Sequence, residues 1–391
     1  MLNTKFSPWP SFTQEEADAV SNVLLSNKVN YWTGMECREF EKEFSAWCGT
    51  DYAVALANGT LALDVALKAL GVGNGDEVIV TSRTFLASVS SIVNAGAKPI
   101  FTDISRCSQN IPPEFVREKI TSRTKAIICV HLAGWPCEMD DMMALADEFN
   151  LVVIEDCAQA HGAKYKGKPV GSIGHIGAWS FCQDKIMTTG GEGGMVTTSD
   201  RELWSKMWSY KDHGKSWEEV YEREHPPGFR WLHDSFGTNW RMTEIQAVIG
   251  RIQLKRMREW HQKRLAYANQ IWKVAQKLNG LRVPQLPVYI EHAAYKCYVF
   301  VEPLQLKPGW NRDKIMAEIN AQGVPCFSGS CSEVYLEKAF DDTGFRPIER
   351  LPVAKELGET SLMFLVHPTL MPLEIEQTCN AIEYVIQQAQ I

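Results

Sequence analysis

The sequence predicts an α/β protein, with a large domain on a mostly parallel central sheet and a smaller C-terminal α+β domain. Three observations predict it. Between residues 50 and 200, short apolar segments alternate with stretches of helical length, the pattern of βαβ units. From Met242 to Lys277 this gives way to one long helix-forming stretch, followed by Asn279-Gly280 and prolines at 284 and 287. The chain's 391 residues also exceed what one ordinary core holds. The boundary is placed near 250, giving domains 1–250 and 251–391. The N-terminal segment is expected to pack on the small domain or at a dimer interface.

The strands are read from apolar runs bounded by polar or glycine-rich segments: 77–81, 99–103, 126–130, 151–155, 195–198 and 298–301. Helices are expected at 139–150, 242–277 and 372–388. Within the long one, Arg251, Lys255, Arg256, Arg258, Lys263 and Arg264 read as a solvated basic face rather than a phosphate-binding surface.

Composition removes several classes. Hydrophobic residues make up 45% and charged residues 22%, a globular balance that excludes a disordered or fibrous chain. No run of about 18 apolar residues occurs, so no membrane-spanning helix is expected. Residues 1–8 lack a secretory apolar segment, which predicts a cytoplasmic protein. A net charge of −7 argues against nucleic acid as the main partner. The 11 cysteines include no Cys-x-x-Cys pair, so no metal site is expected and reduced, mostly buried thiols are.

The chemistry-bearing residues come in a definite order. Asn58-Gly59-Thr60 opens an apolar helix closed by Gly71. Unpaired backbone N–H groups there favour an anion, Gly59 allows close approach, and the Thr60 hydroxyl adds a donor; Thr60 as an ordinary cap is the alternative. Phe85 offers a flat surface for a ring, or a core side chain. Asp156 ends an apolar run, where a carboxylate faces the crevice at a strand's carboxyl end. It suits a protonated ring nitrogen, or caps a turn. Gln159 could reach the same crevice or lie on the surface. Ser180 and Lys185 stand between an aromatic segment and the glycine-rich turn 188–194. A desolvated lysine there can become a nucleophile and form a Schiff base. Phosphate cradle, ring stack, pyridinium partner and Schiff-base lysine are together the needs of pyridoxal phosphate. A nicotinamide site is disfavoured, because the helix after Asn58 starts with a single glycine.

These motifs resemble the nucleotide-sugar aminotransferases of the DegT/StrS type, within fold-type I pyridoxal-phosphate enzymes. The resemblance rests on residues 58–63, 75–80, 84–85, 155–162, 180–181, Lys185, 191–194, 237–242 and 367–370. It implies a fold-type I large domain and these roles: Lys185 forms the Schiff base, Asp156 pairs with the pyridine nitrogen and Gln159 meets the phenolic oxygen. Phe85 stacks on the ring, and Gly59, Thr60 and Ser180 bind the phosphate. Asn239 would reach the phosphate of a neighbouring subunit, implying a homodimer with shared sites. L-glutamate is the implied donor and a nucleotide-linked keto sugar the acceptor, taken as a UDP- or dTDP-linked 4-keto-6-deoxy sugar, in surface polysaccharide or glycoconjugate biosynthesis. The alternatives are a dehydratase or deoxygenase on the same cofactor, which the resemblance associates with histidine at position 185, and a non-catalytic regulator. His213 and the segment Phe327–Ser332 are further candidates for the sugar's surroundings.

Overall fold

The computed structural model describes residues 6–391. The chain forms strands β1 (Tyr52–Leu56), β2 (Glu77–Thr81), β3 (Lys98–Thr102), β4 (Thr124–Val130) and β5 (Val152–Asp156). A short ribbon follows, β6 (Lys164–Tyr165) and β7 (Lys168–Pro169), then β8 (Ile176–Ser180) and β9 (Gly194–Thr198). Seven strands build the central sheet in the order β1-β9-β8-β5-β4-β2-β3. Only β9 runs against the others. Strands β2, β8 and β9 are buried along their whole length, as expected of a sheet covered on both faces.

The register gathers the future site at one sheet end. Gly194 pairs with both Leu56 and Ser180, while Asp156 pairs with Ala178. The carboxyl ends of β1, β5 and β8 therefore open on the same crevice, and helix Gly59–Ala69 starts there.

The C-terminal part adds β10 (Leu281–Arg282), β11 (Ile290–Glu291), β12 (Cys297–Val301), β13 (Cys326–Phe327) and β14 (Ser361–Phe364). Four of these form an antiparallel sheet, β10-β12-β14-β13, and β11 pairs with β6. Helix Glu244–Ala275 begins with a capping box between Thr243 and Gln246. It buries Ala247, Leu254 and Met257 in the large core, then Ala268, Ile271 and Trp272 in the small one. One continuous helix therefore seats both cores. The arm before helix Gln14–Leu25 crosses onto the C-terminal part, where Ser7 donates its hydroxyl to Glu374 at 2.9 Å.

The basic face expected on the long helix needs correction. Arg251 pairs with Glu36 and Glu43, each at 2.6 Å, and Arg256 with Glu15 and Glu16 at 2.5 and 3.1 Å. These arginines join the long helix to helices Gln14–Leu25 and Glu36–Cys48. Arg264 is fully buried. Lys255, Arg258 and Lys263 are exposed as expected, so the solvated face holds for these three and fails for Arg251, Arg256 and Arg264. The cysteines are all free, and eight are buried.

Among the buried histidines are His161, His292 and His367. Burial pushes each down to about 3, helped by Lys185 and Arg264 at His161, by His261 at His292 and by Arg264 at His367. Unfolding lets them take up protons near the usual 6.5, so stability is lost as pH falls below that value. Each should cost about 2 kcal/mol by pH 5. The thermal midpoint is expected to drop steeply between pH 7 and 5, and His292→Asn should flatten that slope.

Candidate active site

A cleft of about 780 Å³ opens at the carboxyl ends of the strands. Asn58, Gly59, Thr60, Phe85, Asp156, Gln159, Ser180 and Lys185 all line it. Residues spread over more than 120 positions meet there because the sheet register aligns their strand ends.

Asp156 lies at the bottom. Its Oδ2 accepts from the Ser88 hydroxyl at 2.7 Å, and its Oδ1 from the Ala158 N–H at 3.1 Å. Ser88 is held in turn by the Thr84 hydroxyl at 2.8 Å. Burial pushes the Asp156 carboxyl up, and Ser88, the Ala158 N–H and Lys185 offset part of that push. No cation lies within ion-pair distance of it among the described residues. A buried carboxylate so placed is suited to a positively charged ring nitrogen. The neighbouring Glu155 is structural: it accepts from His131 and from the N–H groups of Gly171, Ile173 and Gly174. Burial alone would raise its carboxyl, but His131 and these N–H groups hold it below the usual range.

The expected anion cradle lies at the start of helix Gly59–Ala69. Asn58, not Thr60, is its cap, accepting from the Leu61 N–H at 3.0 Å. The cap leaves the N–H groups of Gly59 and Thr60 to the cleft. Gly59 is needed for contact rather than for backbone freedom. A Cβ there would overlap the Ser180 side chain, with Oγ only 2.7 Å away. Gly59→Ala should gain helix propensity but lose more to overpacking, about 1–3 kcal/mol. It should also move Ser180 and weaken pyridoxal phosphate binding about tenfold. Thermal melts and cofactor titration read the two effects separately.

Phe85 is 71% exposed, so it is not the core side chain its composition alone would suggest. It stands in the cleft wall with its face uncovered. The Gln159 side-chain oxygen accepts from the Ala133 N–H at 3.0 Å, which leaves its amide nitrogen to serve the cleft.

Lys185 follows β8 on a turn closed by its N–H bonding to the Cys182 carbonyl. Its ammonium lies 3.7 Å from Asp184 and 5.2 Å from the centre of the Tyr295 ring. The Tyr295 hydroxyl donates to Asp184 at 2.5 Å. From behind, the Trp9 indole N–H donates to the Lys185 carbonyl at 2.8 Å. Ser88, Tyr295 and Trp9 carry no sequence signal of their own. Only the folded chain brings residues 9, 88 and 295 to the lysine and the aspartate.

Of the other candidates, Gly329, Ser330 and Cys331 line the cleft mouth. His213 and Asn239 do not line it; both are exposed. Asp212 and Asn239 form a bridge at the end of helix Arg201–Lys211.

The family model for DegT/DnrJ/EryC1/StrS aminotransferases matches residues 10–383. The chain belongs to this family. GDP-perosamine synthase of Escherichia coli O157:H7 is 44% identical over 250 residues, 63% of this chain and 64% of that enzyme. An aminotransferase from Psychrobacter cryohalolentis, solved by X-ray crystallography, is 66% identical. It superposes with a TM-score of 0.96 over 98% of this chain and 99% of its own. DesV of S. venezuelae, solved with a ketimine intermediate, is 31% identical with a TM-score of 0.86, covering 96% of this chain and 95% of its own.

Membership implies pyridoxal phosphate, and the donor set fits it. Asp156 is a buried carboxylate lacking a cation, Gly59 and Thr60 offer N–H groups beside the Ser180 hydroxyl, and Lys185 shares their cleft. No helix among the described residues is long and apolar enough to cross a membrane.

Proposed function

We propose that this aminotransferase moves an amino group from L-glutamate to a keto group of a nucleotide-linked sugar, with Lys185 and Asp156 as its catalytic residues. The observation that carries this reading is the common cleft. Lys185, Asp156 and an anion-binding helix start line it together. The E. coli relative is named for a GDP-linked product, whereas the sequence reading named UDP or dTDP. The proposal therefore covers a nucleoside diphosphate sugar without fixing the base.

Pyridoxal phosphate, when bound, supplies the electron sink for the bond broken at the donor's α-carbon. Lys185 would hold it covalently and Phe85 would cover its ring. Gln159 would meet its phenolic oxygen, and Gly59, Thr60 and Ser180 its phosphate. Asp156 would offer a negative charge to its ring nitrogen, and Ser88 and the Ala158 N–H orient that carboxylate. With the donor in place, Lys185 Nζ would take the proton from the donor's α-carbon and hand it to the cofactor side of the reacting pair, so that the donor leaves as a keto acid and its amino group stays behind for the sugar. Asp184 and Tyr295 keep the lysine over the cleft between these transfers. A homodimer in which Asn239 serves the neighbouring site belongs to the same proposal; it is supported by Asn239 being exposed and outside its own cleft.

The absorbance spectrum of the protein with pyridoxal phosphate, before and after excess L-glutamate, tests the reading. A cofactor band that bleaches, and returns on adding the keto sugar, is the expected result. A band that persists with every amino acid would overturn it.

A further inference from the structure

We propose that Lys296 is the specificity residue for the amino donor and binds the distal carboxylate of a dicarboxylic amino acid. The inference rests on the transaminase reading above and adds the group that selects the donor.

The cationic side chains lining the cleft are Lys185 and Lys296, against the acidic Asp156, Asp184, Glu192 and Glu337. Asp156 is held by Ser88 and Ala158, and Asp184 by Tyr295. Lys185 is committed to the chemistry. Lys296, one residue before β12, is half-buried and makes no ion pair among the described residues. Asp184 feels its charge only at a distance, and an ammonium partly withdrawn from water with no carboxylate in contact is a ready site for an anion.

Its position beside Lys185 bears on what that anion belongs to. The Lys296 ammonium lies 5.1 Å from the centre of the Tyr295 ring, and the Lys185 ammonium 5.2 Å from the same centre. Both ammonium groups thus lie close to one buried ring. A molecule whose nitrogen reacts at Lys185 would bring an anion a few bonds away to Lys296. The distal carboxylate of an amino-acid donor meets that requirement. Charge favours it over the sugar's diphosphate, because one ammonium among two free glutamates balances a single carboxylate better than a multiply charged group.

The test uses the holoenzyme and its Lys296→Met and Lys296→Arg variants. Calorimetric titration with glutarate and with inorganic pyrophosphate separates the two anion sources. Stopped-flow bleaching with L-glutamate and with L-alanine gives the donor preference. Lys296→Met is expected to bind glutarate roughly ten- to a hundredfold more weakly and to lose a similar factor in preference for glutamate over alanine. Lys296→Arg should restore most of both. Unchanged glutarate affinity in Lys296→Met would overturn the inference, as would a loss confined to pyrophosphate, which would assign the lysine to the diphosphate. A wild-type holoenzyme that bleaches with no amino acid would instead sink the transaminase reading, and glutarate binding would still test Lys296.

Discussion

A Lys185→Ala variant should fold and still bind pyridoxal phosphate, but turn over about 10⁴-fold more slowly, the upper range for a positioned acid–base group. The folded state loses little. The lysine's contact with Asp184 is long, at 3.7 Å, and Asp184 keeps its bond from Tyr295. The backbone is held independently by the Trp9 indole N–H on the Lys185 carbonyl and by the Cys182 turn. The thermal midpoint of the cofactor-free variant should therefore stay within a few degrees of wild type. Borohydride reduction followed by mass spectrometry should find covalently attached cofactor in wild type and none in the variant. Full turnover by Lys185→Ala would refute the assignment.

Asp156→Asn should separate stability from function. Burial pushes the Asp156 carboxyl up, so the folded chain binds its proton more tightly than the unfolded chain does. Stability is then lost as pH rises from the ordinary aspartate value, 3.8, through the raised one, and stays lost above it. Asparagine abolishes that slope and fits the same bonds: its amide nitrogen can donate to Ser88, which turns to Thr84, while the Ala158 N–H keeps its acceptor. Without cofactor the variant should melt at or above the wild-type temperature at pH 8. Cofactor affinity and turnover should fall by about 10²–10³, the cost of leaving a buried charge without its partner. Melting curves from pH 4 to 8 and cofactor titration check both halves. A variant with wild-type turnover would remove Asp156 from the mechanism.

The sheet was legible where a strand is a plain apolar run. The reading of 77–81 coincides with β2, and those at 126–130 and 151–155 fall within a residue or two of β4 and β5. Strands β1 and β8 went unnamed, because Ile176–Ser180 holds a glycine and a tryptophan and Tyr52–Leu56 holds two alanines. Such residues become strands through the neighbours that cover them, not through their own preference. The cleft residues of the motifs were legible because each lies beside a strand end or helix start visible in the sequence. Lys296, Tyr295, Ser88 and Trp9 were not. Their significance is a distance to another part of the chain, and a side chain's type does not record that distance. Arg264 shows the same limit in reverse, since its place among basic residues suggested solvent and its neighbours in space exclude it.

The arm that carries Trp9 has a consequence for how the chain is made. Residues 7–9 leave the ribosome long before their partners, Lys185, Thr369 and Glu374. The large domain's sheet strands are all synthesised by residue 198 and can assemble early, as domains generally do. The clamp behind the reactive lysine closes only when the last helix, Pro372–Ala389, has emerged. A nascent chain thus holds its central sheet before it holds its finished site, and a ribosome stalled before residue 369 should display a lysine that aldehydes reach but that is not yet braced for catalysis.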